Sequence, residues 1–122
     1  MTEKVKKINI TNQKNLKICA LIDNLERLGH LSHSLNQEYS EKLQNYDYIT
    51  DIIPCGRYIR WIYKKTMSLN SGGFVTSDNG YSVTVICNDK KCITINKKKG
   101  LFFLKLNNSD YIKQALFKSS FL

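Results

Sequence analysis

The spacing of apolar residues changes once along this chain, close to its single proline, Pro54, and that change constrains the fold more than any other feature. Before it, Ile18, Leu21, Leu25, Leu28, Leu35, Tyr39 and Tyr46 recur at steps of three and four, with only Ser32 and Lys42 as polar members of the same seam. That is the stripe of a heptad-like amphipathic helix. Asp23, Asn24, Glu26, Arg27, Asn36, Gln37 and Glu38 supply its polar face. After Pro54 the period becomes two: Tyr81, Val83, Val85 and Cys87 alternate with Ser82, Thr84, Ile86 and Asn88, and Ile93, Ile95, Phe102, Leu104 and Leu106 continue the pattern. A half-buried strand has this alternation.

Gly29, followed by "HLSHS", weakens a continuous helix by about 1 kcal/mol relative to alanine and offers a break into two. Ile22, Leu31 and Leu43 fall off the seam and widen the stripe. The seam therefore fits two arrangements: a helix or helical pair laid against the sheet of its own chain, or self-association through Ile18, Leu21, Leu25, Leu28, Leu35 and Tyr39.

Polar breaks divide the second part of the chain. "SDNGY" brings Asp78, Asn79 and Gly80, residue types that tolerate a tight hairpin, and "NDKK" (88–91) and "NKKKG" (96–100) are the next two turns. With runs at 56–64 and 73–77, these breaks predict five short strands in a small antiparallel barrel of SH3-like or OB-like type. Asn108 or Ser109 is the expected cap of a short closing helix carrying Tyr111, Ile112, Ala115 and Leu116. The expected class is α+β, with a helical segment over 1–53 and a β-barrel domain with its carboxy-terminal helix over 54–122.

A length of 122 residues allows one ordinary core, and 42% hydrophobic against 24% charged residues is the composition of a folded chain. The net charge of +9 is unevenly placed: residues 1–54 hold seven Lys/Arg and seven Asp/Glu, and residues 55–122 hold twelve and three. Such asymmetry points to contact with a polyanion, or to a general solubility charge. No run approaches the roughly 18 apolar residues of a membrane span, and "MTEKVKKINI" lacks the apolar centre of a signal peptide. Cytosolic residence with reduced thiols at Cys19, Cys55, Cys87 and Cys92 is the expectation.

Catalytic signatures are missing: there is no phosphate loop, no H-E-x-x-H and no nucleophile elbow. Cys87 and Cys92, which flank a four-residue turn, combine with His30 and His33 only in a loose two-cysteine, two-histidine set, because the two pairs lie in segments assigned to separate elements. Buried reduced thiols are the better reading. No metal, cofactor or catalytic residue is expected, and the chain is read as a non-enzyme.

Binding is the remaining class. Alternation puts Arg57, Ile59, Trp61 and Tyr63 on one face of the first strand and Tyr58, Arg60, Ile62 and Lys64 on the other, with most of the aromatics assigned to the core. The candidate nucleic-acid-binding residues are Arg57, Arg60, Lys64, Lys65, Lys90, Lys91, Lys97, Lys98 and Lys99. The two lysine hairpins are expected to form half of one basic surface, and DNA, RNA or an acidic protein all fit as its partner.

A Gly followed by a Tyr-Ile-Arg-aromatic segment, and a Leu shortly before Gly-Gly-Phe, occur here as Gly56, Tyr58, Ile59, Arg60, Trp61, Leu69, Gly72, Gly73 and Phe74. Over roughly residues 50–106 this resembles a group of small helix-plus-β-module proteins of large nucleocytoplasmic DNA viruses, the giant viruses. The Lys/Asn/Ile-rich composition agrees with an AT-rich genome. The resemblance implies a soluble, non-enzymatic viral module acting in the host cytoplasm, the virus factory or the virion. Its implied partners are a second copy bound through the helix and other viral proteins, and no membrane. The alternative function is protein–protein assembly with incidental charge.

Overall fold

Gly29 decides how the helical stripe is used. In the structure, a computed structural model that describes residues 17–119, helix α1 (17–27) ends with Gly29 at φ +81°. The His30 amide bonds the Leu25 carbonyl at 2.9 Å and the Gly29 amide bonds that of Glu26 at 2.9 Å, the paired closure of a glycine-terminated helix. Ser32 then caps α2 (His33–Lys42) by accepting from the Leu35 amide at 3.2 Å. Asn36, buried on α2, donates to Asp23 at 2.8 Å and to Glu26 at 2.6 Å and so ties the two helices together. Residues 1–16 of the helical segment expected over 1–53 lie outside the described residues. The seam's last member, Tyr46, is not helical but opens strand β1 (Tyr46–Ile49).

The five expected strands are present as β2 (Tyr58–Tyr63), β4 (Gly73–Asp78), β5 (Ser82–Cys87), β6 (Cys92–Asn96) and β7 (Gly100–Lys105). β1 and the two-residue β3 (Ser68–Leu69) raise the number to seven. All pairings are antiparallel, in the order β1-β7-β2-β4-β5-β6, with β3 also on β2. The sheet is open, not a closed five-stranded barrel: β1 and β6 end the order and do not pair with each other. β1 lies ahead of the boundary expected at residue 54, yet pairs with β7.

Two cores lie on opposite faces of the sheet. On one face, Ile18, Ile22, Leu31, Tyr39 and Leu43 from the helical segment pack on Tyr46, Ile62 and Phe103. The other face encloses Ile53, Ile59, Trp61, Val75, Val83, Val85, Ile95 and Phe102. β2 and β7 thus bury both of their faces, which explains their nearly continuous apolar sequences YIRWIY and GLFFLK. The Trp61 indole N–H is buried without an acceptor among the described residues, a cost of about 1–3 kcal/mol that its large buried area offsets. Gly73 is required where β4 meets β5, because a Cβ there would stand 2.7 Å from the Ile86 carbonyl oxygen.

The closing helix α3 (Asn108–Ser119) is capped by Asn107, one residue earlier than expected. Asn107 Oδ1 accepts from the Asp110 amide at 2.9 Å and the Asp110 carboxylate accepts from the Asn107 amide at 2.9 Å, a reciprocal capping box. Ile112 and Leu116 on α3 are exposed. No described helix is long and apolar enough to cross a membrane.

Candidate polyanion-binding groove

Two chain reversals meet at the carboxy-terminal end of β2. The first is the turn 64–67 leading to β3, in which the Met67 amide bonds the Tyr63 carbonyl at 2.7 Å and Met67 takes φ +53°. The second is the 3-10 turn Lys97–Lys99 between β6 and β7, capped by Asn96, whose Oδ1 accepts from the Lys98 amide at 2.9 Å. A backbone bond from the Lys64 amide to the Lys99 carbonyl, 3.0 Å, joins them, and Tyr63 stands opposite Gly100 in the ladder.

The result is a groove of about 470 Å³ lined by Tyr63, Lys64, Lys65, Thr66, Lys98 and Lys99. No acidic residue lines it, and among the described residues none of its four lysines forms an ion pair. All four are exposed. Helix α2 holds the turn from beneath: the Tyr39 hydroxyl donates to the Met67 carbonyl at 2.7 Å and accepts from the Leu69 amide at 3.2 Å.

Lys97 goes the other way. Its ammonium pairs with Asp78, whose side chain is fully inaccessible, and donates to the Asp51 carbonyl at 3.3 Å. Asp78 also accepts from the Ile53 amide at 2.8 Å and the Gly80 amide at 2.8 Å. Burial of the Asp78 carboxyl, the largest single influence, acts to raise its pKa. The Lys97 ammonium and the two amides together outweigh it and hold the carboxyl below the usual range.

Of the nine basic candidates, the structure therefore gathers Lys64, Lys65, Lys98 and Lys99. Arg57 is withdrawn into a 2.6 Å ion pair with Asp110 and a 3.1 Å bond to the Lys105 carbonyl, and Arg60 donates to the Asn70 carbonyl at 2.9 Å. Lys90 and Lys91 are exposed, but about 20 Å of strand at roughly 3.3 Å per residue separates Lys91 from Lys97. The two lysine hairpins occupy opposite ends of β6 instead of one cluster. Tyr63 and Thr66 join the groove without having been candidates; their signal was adjacency to Lys64 and Lys65 at the end of a strand.

The helical seam is occupied within the chain. Ile18 and Tyr39 are buried, and Leu21, Leu25 and Leu35 pack against the same core, whereas Leu28 on the glycine turn is 60% exposed. Cys87 packs against the second core and its neighbour in the turn, Cys92, is exposed beside Ile86, so the two face opposite sides of the sheet. Burial, with help from Asp89 and Cys92, pushes the Cys87 thiol up. His33 lies 3.2 Å from Glu26, and among the described residues no three His, Cys, Asp or Glu side chains stand together as metal ligands would.

Comparison with known proteins found no matching family model, no matching curated protein and no matching solved structure.

Proposed function

We propose that this chain is a binding module, not an enzyme, and that the groove between the 64–67 turn and the Lys97–Lys99 turn holds a polyanion. One observation carries the reading: two loops distant in sequence place four exposed lysines, unpaired among the described residues, around one groove while Lys97 of the same turn is neutralised internally. Like charges brought together without acids repel one another, and an anionic partner relieves that repulsion. Lysines act as flexible point charges, so the partner is recognised by charge density more than by geometry.

Affinity for a labelled oligonucleotide tests this. With four lysines engaged, the logarithm of affinity falls against the logarithm of salt with a slope of about 3, at roughly 0.7 to 0.9 per neutralised phosphate. Replacing Lys64, Lys65, Lys98 and Lys99 by Gln flattens that slope, whereas replacing Lys90 and Lys91 leaves most of it. Absence of binding at low salt, or an equal loss from both variants, rules the groove out.

A second reading rests on a different surface. Tyr58, Phe74, Ile86 and Cys92 are consecutive register partners across β2, β4, β5 and β6, and Phe74 and Ile86 are 52% and 42% exposed. Such an apolar row suits protein–protein assembly, and self-association would use it in place of the occupied seam. Sedimentation that stays monomeric at high concentration removes this reading.

A further inference from the structure

The composition of the groove wall narrows the class of anion. Four of the six lining residues are lysines, yet the lining is mainly apolar. That combination arises when the methylene stems lie along the wall and the ammonium groups stand at the rim. Tyr63 supplies the aromatic part: its ring is set edge-on to Trp61 at 6.2 Å and 90°, and its ladder partner Gly100 brings no side chain to that position. A ligand charged on every side would leave this apolar wall unused. A nucleotide, with a flat apolar base and a charged phosphate, matches both parts, and about 470 Å³ is within the roughly 300–1,000 Å³ of grooves that hold small organic groups. Duplexes keep their base faces stacked, so only an unpaired base can reach the wall.

We infer that the groove takes single-stranded nucleic acid, laying an unpaired base along the Tyr63 wall with the flanking phosphates at the lysine rim. This rests on the polyanion reading and specifies its ligand. No arginine lines the groove to read a base edge with a paired hydrogen bond, so the preference is for strandedness, not sequence.

The test compares the intact chain's affinity, at one salt concentration, for oligothymidylate, an abasic sugar-phosphate strand of equal length, and the oligothymidylate–oligoadenylate duplex. Oligothymidylate binds at least about fivefold more tightly than either, the lower end of what a stacked base contributes. Oligouridylate run alongside distinguishes RNA from DNA as the source of the same chemistry, and preference for either sugar supports the inference. Tyr63→Leu lowers thymidylate affinity by more than abasic affinity and so closes the gap between the two ligands. Because Tyr63 also packs against a core, the comparison of ligands on the unaltered chain decides the matter if that variant does not fold. Equal affinity for the thymidylate and abasic strands, or tighter duplex binding, overturns the single-strand inference and leaves the polyanion reading standing. Failure of all ligands to bind removes both.

Discussion

Lys97 shows how a single side chain can leave a cluster to which its sequence neighbours belong. Three consecutive lysines in a turn of about three residues per revolution point in three directions, so one of them is directed inward. Its acid, Asp78, stands at the end of another strand, and no local pattern pairs the two. The run itself was legible in the sequence; which member turns inward depended on tertiary packing. Removing one partner of so buried a pair leaves the other uncompensated, and Asp78→Ala is expected to cost about 3–5 kcal/mol in urea unfolding at neutral pH. A carboxylate held below its unfolded value adds stability that is complete above about pH 4 and is lost as pH falls through the lower folded value. Asp78→Asn should therefore lose stability at neutral pH and show a shallower acid decline than the parent. Parallel acid limbs for the two proteins would contradict the assignment.

At the level of elements, the periodicities were readable and their ends were not. The five strands with clear alternation or bounding turns all form. β1 was hidden because Tyr46 continued the helical spacing, and four residues are too few for alternation to compete with a longer signal. β3 exists only as a pairing of Ser68 and Leu69 with β2, a tertiary fact without a sequence pattern. The barrel expectation failed for a related reason: strand count and alternation do not reveal that β2 and β7 bury both faces, one of them under the helices. The break at Gly29 can be tested directly. A Cβ at that position meets nothing within 4 Å, so the penalty of Gly29→Ala is conformational, about 1 kcal/mol for a positive φ. The denaturation midpoint falls by that amount with an unchanged m-value; a stabilised protein would mean that α1 runs on through the turn.

For the whole molecule, the second part of the chain carries only three acids, and two of them, Asp78 and Asp110, neutralise cations that would otherwise face solvent. Among its described residues the exposed lysines left over are Lys64, Lys65, Lys98 and Lys99 at one end of β6, Lys90 and Lys91 at the other, and Lys105 and Lys113 apart from both. Asp110 has a further task, since it closes the cap of α3 while pairing with Arg57 beside β2. Arg57→Ala should release α3 from the sheet, raising amide exchange across 108–119, while global stability changes by no more than about 1 kcal/mol. Unchanged protection of α3 would show that other contacts, the Tyr111–Asn45 bond among them, hold it without the Arg57 pair.

The position of β7 has a consequence for synthesis. β1 and β2 follow one another in the chain, but in the sheet they are separated by β7. A growing polypeptide therefore cannot join β1 to the rest of the sheet until β7, made after the other six described strands, takes its place beside β2. Lys64 and Lys99 face each other only after that insertion, so the groove is absent from the nascent chain and arises with the completed fold.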